Sequence, residues 1–202
     1  MDNANGFIKE GEGICVYGAS SSHIPVAYID AAREIGRLIG LSGRPLVNGA
    51  GRGGVMAAAT EGALDAGGSA TGVIPQFMLD RGWQHPRLEH LIVTPDMHRR
   101  KETMARLSYA AIALPGGYGT FEELLEIITW KQLRLFAGNV VILNIDGYYD
   151  PLIEMFSRAT EQGFISDCKG QPWTVAATPA EAMEQALKRH RHDDNCTPLS
   201  KY

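Results

Sequence analysis

The amino-acid sequence predicts an α/β fold in which one parallel sheet is doubly wound and covered by helices on both faces. From Gly13 onward, short β-branched runs alternate with longer stretches of helical apolar spacing, which is typical of successive β-α-β units. Glycine-rich segments follow several of the predicted strands, as expected where a strand turns sharply into a helix. At 202 residues the chain is long enough for one sizeable core and short for two, so we expect a single domain.

The first half of the chain is predicted element by element from these patterns. ICVYG is a strand, the serines at 20–22 form a loop, and AYIDAAREIGRLIGL is a helix. RPLVN and SATGVIP are the next strands, and between them lie the turn NGAGRGG and the alanine-rich helix VMAAATEGALDAGG. Residues 76–89 are loop-like, HLIVT is a strand, and the helix MHRRKETMARLS can be capped by Thr94 or Asp96.

The second half continues the alternation. It contains the strand YAAIALP, the amphipathic helix FEELLEIITWKQLRLF, the strand VVILN, a turn at Asp146 and Gly147, a helix from about Pro151, a weak strand over 173–176 and the helix PAEAMEQALKRH. Together these elements predict a Rossmann-like domain over residues 13–190. Residues 1–12 are then an N-terminal extension and residues 191–202 a flexible C-terminal tail.

Composition excludes several classes of function. The formal net charge is −4, and outside Arg99, Arg100 and Lys101 the basic residues are scattered, so no nucleic-acid face is expected. No apolar run approaches the roughly 20 residues that span a bilayer, and no export signal is visible, so we expect a cytoplasmic protein that does not contact membranes. Cys15, Cys168 and Cys196 are too far apart for a disulfide framework or zinc module, and Cys15 is predicted to be buried.

Three loops at the carboxyl ends of strands, residues 18–22, 48–54 and 115–120, are candidate ligand loops. In the third, Gly116, Gly117 and Gly119 leave backbone N–H groups uncovered, and the helix that follows directs its positive dipole end to the same place. This arrangement suits a phosphate group. The alternative is a tight turn that uses glycine only for its dihedral angles.

The second loop contains Gly49-x-Gly51-x-x-Gly54, the spacing of the dinucleotide fingerprint. That fingerprint requires an acidic residue roughly 20 residues later, at the end of the next strand, but this strand ends in Ile74-Pro75-Gln76. NAD-dependent oxidoreduction is therefore a secondary alternative. The loop is not a P-loop, because no Gly-Lys-Ser/Thr follows it.

Two charged features stand beside these loops. Met97, Arg100, Lys101 and Met104 share one helix face, where two cations beside apolar side chains indicate an anionic partner or, alternatively, a snorkelling pair. Glu123 completes a Thr-x-x-Glu capping box that begins at Thr120, and spacing alone favours a capping role. Glu123 also lies near the proposed phosphate loop, where its carboxylate would stand beside a bound ribose, and this weakens the preference for a pure cap.

The histidines do not indicate a metal site. His85 and His98 are predicted in or beside the cleft, but no H-E-x-x-H or similar spacing occurs. His190, His192 and Cys196 lie in the predicted tail, where chelation would be adventitious. We therefore expect neither a metal ion nor a cofactor.

The motifs Met97-His98-x-Arg100-Lys101, Leu114-Pro115-Gly116-Gly117-Tyr118-Gly119-Thr120-Phe121-Glu122-Glu123 and Thr129-Trp130-x-Gln132 together resemble one family. It is the Lonely Guy (LOG) family of cytokinin riboside 5′-monophosphate phosphoribohydrolases, and the resemblance extends from about Gly13 to Phe164. It implies hydrolysis of a purine nucleoside 5′-monophosphate to free base and ribose 5-phosphate. It also implies a homodimer with sites near the subunit contact. The tyrosine of the PGGYGT motif, Tyr118, resembles the residue at this position in the dimeric branch of the family.

The resemblance also assigns roles to residues. Arg100 and Glu123 would be catalytic, so the resemblance favours catalysis over a pure cap for Glu123. The third loop, with Thr120, would hold the 5′-phosphate, and Lys101 would add charge nearby. The substrate-binding residues it implies are Gly18, Ser20, Ser21, Gly49, Gly51, Gly53, Met97, Lys101, Gly116, Gly117, Tyr118, Gly119, Thr120 and Thr129.

Departures from the family pattern leave the preferred base open. The second loop reads Asn-Gly-Ala-Gly where the family commonly has Tyr-Gly-Gly-Gly, Ala19 replaces a residue of a Gly-Ser-Ser motif, and Gly82 stands where many members have glutamate. A non-catalytic nucleotide or molybdenum-cofactor carrier of the same fold is the main alternative function. A lysine decarboxylase label, sometimes attached to the family, has no support here, because the sequence lacks a Ser-x-His-Lys motif to anchor pyridoxal phosphate.

Overall fold

Seven parallel strands form the central sheet in a computed structural model that describes residues 8–165 and 171–189. Across the sheet the strands follow the order β4-β3-β2-β1-β5-β6-β7. Their bounds are β1 Gly13–Tyr17, β2 Leu46–Asn48, β3 Ala70–Pro75, β4 His90–Thr94, β5 Ser108–Ala113, β6 Asn139–Leu143 and β7 Thr174–Ala176. The Rossmann-like, doubly wound α/β architecture predicted from the sequence is confirmed.

Seven α-helices connect or follow these strands in the described part of the chain. They are α1 Val26–Leu41, α2 Gly54–Asp65, α3 Gln76–Leu79, α4 Met97–Arg106, α5 Tyr118–Gln132, α6 Asp150–Glu161 and α7 Pro179–Leu187. None of the helices within these residues is long and apolar enough to cross a membrane. The predicted extension lies largely outside the described residues, and the predicted tail lies wholly outside them.

The sheet separates two apolar cores. Successive strand residues point to opposite faces, so Ile14 and Val16 of β1 enter one core while Cys15 and Tyr17 enter the other. Helices α1, α2 and α7 cover the first core, and α4, α5 and α6 cover the second. Cys15 is fully buried, as predicted, and burial raises the pKa of its thiol to about 12. Cys168 and Cys196 lie outside the described residues.

Helices α1 and α2 approach so closely that glycine is required at their contact. A Cβ atom on Gly36 would lie 2.0 Å from the carbonyl oxygen of Ala59, and one on Gly62 would lie 2.1 Å from that of Arg33. Ordinary contacts between such atoms begin near 3.4 Å. The backbones of these two helices are therefore in direct contact, and this contact fixes the positions of the loops that precede each helix.

The order of the strands creates a switch point between β1 and β5. The chain proceeds from β1 to β2, β3 and β4 on one side, then returns to β5 and continues on the other. In doubly wound sheets the crevice outside the strand ends at such a point is where ligands bind. The loops after Tyr17 and after Ala113 flank this crevice, and the loop after Asn48 lies beside them.

Two predicted element boundaries change in the structure. Residues 76–79 form the short helix α3 within the segment predicted as loop. Helix α5 begins at Tyr118 with Gly117 as its N-cap, so Thr120 lies inside the helix and the predicted capping box is wrong. Of the two candidate caps for α4, Asp96 is the N-cap, and its carboxylate accepts a hydrogen bond from the Arg99 amide at 2.8 Å.

Candidate active site

The three predicted ligand loops meet at the switch point. The Ala19 amide donates to the carbonyl oxygen of Pro115 at 3.3 Å, which joins the first loop to the third. The Met56 amide donates to the Ala19 carbonyl oxygen at 3.2 Å, which joins the first loop to α2. Gly54 has a φ of +60°, and a Cβ there would lie 2.3 Å from the Ser21 carbonyl oxygen. The predicted convergence of these loops is confirmed.

The third loop presents free backbone donors at the start of α5. The first intrahelical bond runs from the Phe121 amide to the Gly117 carbonyl oxygen, at 3.0 Å. The amides of Tyr118, Gly119 and Thr120 therefore precede the first position that has an acceptor within the helix. A Cβ on Gly117 or Gly119 would meet no atom within 4 Å, so the surface above these amides is open. Backbone donors and the helix dipole together suit an anion here.

Arg100 is buried and held by acceptors from three parts of the chain. Its Nε donates to the Val73 carbonyl oxygen at 3.1 Å, its Nη2 to that of Gly49 at 3.3 Å, and its Nη1 to Oε1 of Glu123 at 3.2 Å. Only 5% of the residue is exposed. A Cβ at position 49 would lie 1.7 Å from Nη2, so the space that Gly49 leaves empty is occupied by the guanidinium group.

Glu123 projects from the first turns of α5 toward this guanidinium group. Its side chain is 10% exposed, so the carboxyl group reaches the crevice while most of it is shielded from water. Burial raises the pKa of the Glu123 carboxyl group to about 7, and the charge of Arg100 offsets part of that rise. A carboxyl group with this pKa can exchange a proton near neutral pH.

Lys101 forms a second, adjacent ion cluster with two other acidic residues of α5. Its ammonium group donates to Glu122 and to Glu126, the latter at 3.1 Å, and its side chain is 6% exposed. Burial alone lowers the pKa of Lys101, but the bonds to these two carboxylates outweigh burial and raise it. The two buried cations of α4 therefore both face carboxylates of α5, and three carboxylates share two cations.

The other predicted site residues are distributed around this crevice. Thr120 is buried against Gly116, where a Cβ would lie 2.1 Å from the threonine Oγ1, whereas Tyr118 is 94% exposed. Met97 is 37% exposed, while Met104 on the same helix face is buried. Thr129 lies six residues after Glu123, about 9 Å along the helix axis, and its hydroxyl donates to the Leu125 carbonyl oxygen at 2.8 Å. Thr129 is therefore more than one turn of α5 away from the Arg100–Glu123 contact.

The remaining predicted residues of the first two loops lie at the rim of the crevice. Ser20 and Ser21 are exposed. Gly18 packs against Val55, and a Cβ on Gly53 would lie 2.7 Å from the Ser20 carbonyl oxygen. Gly51 packs against Met56, whose Cε would lie 2.7 Å from a Cβ there. Gly18 and Gly53 thus permit the close approach of the loops, whereas Gly51 faces only the flexible end of a methionine side chain.

Several residues that shape the site could not be identified from sequence patterns. Val73 contributes only its backbone carbonyl group, and Tyr17 is a buried strand residue beside Glu123 and Lys101. Tyr148 donates through its hydroxyl group to the carbonyl oxygen of Gly116, from a turn 32 residues later. Glu122 and Glu126 read only as polar positions on an amphipathic helix. Long-range contacts of this kind carry no local spacing pattern.

Neither histidine near the crevice is in a metal cluster. The His85 amide donates to the Ala50 carbonyl oxygen at 2.8 Å, and its imidazole Nε2 lies 3.5 Å from Oε1 of Glu61. His98 is exposed on α4. Across residues 8–165 and 171–189, no three His, Cys, Asp or Glu side chains gather closely enough to hold a metal ion. His190, His192 and Cys196 lie outside this range.

Comparisons with known proteins agree on one family and one fold. A family model described as "Possible lysine decarboxylase" matches residues 56–186. The probable cytokinin riboside 5′-monophosphate phosphoribohydrolase LOGL1 of Oryza sativa subsp. japonica is 41% identical over 182 residues, covering 88% of this chain and 81% of that protein. The cytokinin riboside 5′-monophosphate phosphoribohydrolase LOG1 of Arabidopsis thaliana is 42% identical over 182 residues, covering 89% and 85%.

Among solved structures, the molybdenum cofactor carrier protein of Chlamydomonas reinhardtii is similar to this chain. The TM-score is 0.65 and the sequences are 26% identical, with 88% of this chain and 98% of that chain covered. The same backbone architecture thus occurs in a protein described as a carrier of the molybdenum cofactor.

Proposed function

This chain belongs to the LOG family, and from that membership and the site geometry we propose that it hydrolyses the N-glycosidic bond of purine nucleoside 5′-monophosphates. The products are the free base and ribose 5-phosphate. The observation that carries the proposal is the buried contact between Arg100 and Glu123, 3.2 Å apart, beside the open amides that begin α5. The proposed substrates are AMP and its N6-modified forms, including N6-isopentenyl-AMP, and no cofactor is needed.

The chemistry requires negative charge near the sugar. Cleavage of an N-glycoside passes through an oxocarbenium-like state in which the ribose ring becomes positive. In the proposed reaction, water bonds to the anomeric carbon as the bond to the base nitrogen breaks. Glu123 stabilises the positive ring or takes the proton of that water, and the leaving base acquires a proton. The three carboxylates of α5 outnumber the two cations of α4 that face them, which favours a positive ring.

Arg100 controls the state of Glu123. Its charge opposes the rise in the pKa of Glu123 that burial causes, and its hydrogen bond orients the carboxylate. With a pKa of about 7, Glu123 is substantially ionised at neutral pH and is still basic enough to accept a proton. Lys101 acts beside this pair by holding Glu122 and Glu126. In this arrangement Lys101 adds charge near the phosphate without contacting it directly, and that placement stays a prediction.

The 5′-phosphate is proposed to bind at the loop of residues 116–120. The amides of Tyr118, Gly119 and Thr120, the dipole of α5 and the open space over Gly117 support this placement. The first two loops, with Gly18, Ser20 and Ser21, would line the rest of the nucleotide. The remaining proposed contacts are Gly49, Gly51, Gly53, Gly116, Met97 and Thr129.

A homodimer is proposed in which a second copy covers part of α5. Leu125 and Thr129 of this helix and its C-cap residue Leu133 recur at intervals of four residues, and all three are exposed. Thr129 can then approach a bound nucleotide across the contact between subunits. Sedimentation velocity would show a dimer, which a charged substitution at Leu133 should dissociate. A cytoplasmic location stays a prediction.

Release of base from AMP and from N6-isopentenyl-AMP tests the activity, with adenosine as the control that lacks phosphate. The expected result is cleavage of the nucleotides and a lower kcat/KM for the nucleoside by at least about a hundredfold, because the phosphate supplies much of the binding energy. Glu123→Gln should lower kcat about a thousandfold while retaining the fold by circular dichroism. Wild-type rates in folded Glu123→Gln would disprove the assigned role.

A carrier function is the second candidate, and the similarity to the Chlamydomonas reinhardtii carrier favours it. Rossmann-like folds bind related ligands with and without chemistry. Tight binding of a nucleotide that stays intact over hours of incubation would support a carrier and contradict hydrolysis. The position of Glu123 and Arg100 beside the phosphate loop favours hydrolysis.

A further inference from the structure

The carbonyl groups that lead into the phosphate loop are engaged by the protein. From Leu114 to Gly117, four consecutive carbonyl oxygens accept hydrogen bonds, in order from the Tyr149 hydroxyl, the Ala19 amide, the Tyr148 hydroxyl and the Phe121 amide. Each of these carbonyl groups is therefore directed toward a protein donor. A carbonyl group that turned toward the crevice would instead repel an anion.

The bond from Tyr148 determines where one amide points. In a trans peptide, the C=O and N–H groups of one plane point in opposite directions. The carbonyl group of Gly116 shares its peptide plane with the Gly117 N–H, so a donor on that carbonyl group fixes the amide on the opposite side. Because this plane lies between two glycines, the backbone alone restricts its rotation weakly.

The turn that carries Tyr148 is itself held in place. Asn144 accepts from the Tyr149 amide and donates to the Asp150 carboxylate, both at 2.7 Å. Gly147 has a φ of +71° and its Cα lies against Asp150, where a Cβ would be 2.5 Å from Oδ2. The sequence here thus favours one conformation of the turn, which positions the Tyr148 ring.

Three aromatic rings surround the Tyr148 ring. The centroids of Tyr28, Phe121 and Tyr149 lie 5.6, 6.5 and 5.1 Å from its own. These contacts involve the ring and not the hydroxyl group, so a phenylalanine at position 148 would keep the packing and lose only the hydrogen bond. The role of that bond can therefore be tested separately.

We propose that Tyr148 is a positioning residue: its hydroxyl group fixes the peptide between Gly116 and Gly117 so that the Gly117 amide faces the 5′-phosphate of the substrate. The inference rests on the proposed function, which supplies the phosphate. Tyr148 touches neither the reacting bond nor the sugar. It acts through the loop, and its loss should therefore affect binding of the phosphate more than the chemical step.

Tyr149 provides a matched control within the same turn. Its hydroxyl group donates to the Leu114 carbonyl oxygen at 2.7 Å, and its side chain is fully buried. The Leu114 carbonyl group shares its peptide plane with the nitrogen of Pro115, which carries no hydrogen. The bond from Tyr149 therefore orients no amide. Tyr149→Phe therefore removes a hydrogen bond from the same loop without changing a phosphate donor. It should lower Tm, because the Leu114 carbonyl group loses its donor.

The test is the affinity of wild type, Tyr148→Phe and Tyr149→Phe for inorganic phosphate and for ribose 5-phosphate, by titration calorimetry. Tyr148→Phe should raise Kd for both ligands roughly three- to tenfold, because the Gly117 amide is no longer fixed and its hydrogen bond to the charged phosphate is weakened but not abolished. KM for the nucleotide should rise by a similar factor, while kcat stays within about twofold. Tyr149→Phe should leave Kd within about twofold of wild type.

Each outcome decides between the two proposals. Wild-type Kd values in Tyr148→Phe, or an equal loss in both variants, would overturn the positioning role. If wild type binds phosphate in a Tyr148-dependent manner but cleaves no nucleotide, the proposed reaction is wrong and the inference stands. If wild type binds neither phosphate nor ribose 5-phosphate, both are wrong.

Discussion

Replacing Gly49 with alanine should disable the site by displacing Arg100. The new Cβ would lie 1.7 Å from Nη2 and 2.8 Å from Cζ of Arg100, far inside contact distance. The guanidinium group would have to withdraw by about 2 Å to reach ordinary separation. Its bonds to Val73, Gly49 and Glu123 are 3.1 to 3.3 Å long, so none would survive such a shift.

The cost of this displacement can be bounded. Hydrogen bonds to charged groups contribute about 1.5–3 kcal/mol each, and breaking a buried ion pair costs about 3–5 kcal/mol. These values are not additive, and water can reach Glu123, which is one-tenth exposed. We therefore expect Gly49→Ala to lower the free energy of unfolding by about 2–4 kcal/mol. A misplacement of this size should lower kcat/KM at least about a hundredfold.

Urea denaturation and base release from AMP, measured on the same preparations, test this prediction. Gly117→Ala is the control for stability alone, because its Cβ would meet no atom within 4 Å and its φ of −96° suits alanine. Because Gly117 is the N-cap of α5, where alanine is less favourable than glycine, that control should lower the free energy of unfolding by no more than about 1 kcal/mol. If Gly49→Ala were equally stable and retained wild-type kcat/KM, the anchoring role assigned to Gly49 and the need for a fixed Arg100 would both be refuted.

Three further predictions concern charge and packing. First, because the pKa of Glu123 is raised to about 7, the ionised form of Glu123 is lost as pH falls through that value. The pH profile of kcat/KM should therefore decline below pH 7, and a profile that is flat to pH 5 would contradict this. Second, Lys101→Met should move this decline to higher pH, because Lys101 lowers the pKa of Glu123, and should change Kd for inorganic phosphate less than about twofold. A large loss of phosphate affinity would instead indicate direct contact. Third, Gly36→Ala should cost about 2–4 kcal/mol in urea denaturation, because its Cβ would meet the Ala59 carbonyl oxygen at 2.0 Å; an unchanged midpoint would show that α1 and α2 separate easily.

The arrangement of the loops was predictable because it follows from topology. A chain of β-α-β units places every strand-to-helix loop at the same edge of the sheet, so the segments after Tyr17, Asn48 and Ala113 had to meet. The spacing of Arg100 and Glu123 did not indicate that these two residues are partners. The resemblance to a family suggested it, and the hydrogen bond between the two side chains gives it a physical basis.

The start of α5 shows why local rules can fail. Thr120 and Glu123 satisfy the capping-box spacing, yet the helix begins three residues earlier than this spacing predicts, with Gly117 as N-cap. Glu123 is drawn instead toward a buried guanidinium group, a contact that spans 23 residues. A capping rule considers only neighbours along the chain, so it cannot weigh such a contact.

Tyr148 could not be found from the sequence for a related reason. Its partner is a backbone carbonyl group 32 residues earlier, and every residue type has one. The sequence indicated a turn at Asp146 and Gly147, which the structure contains. It did not indicate where the following side chain would point, because that depends on how β5 and β6 are paired.

The anchoring of Arg100 has a consequence for how the protein loses activity. Its acceptors belong to the second loop, to β3 and to α5, so one side chain connects segments that are distant along the chain. Detachment of α4 from the sheet would release all three segments together. Glu123 should therefore lose its orientation whenever α4 detaches from the sheet. Loss of activity on heating should then follow the detachment of this helix closely.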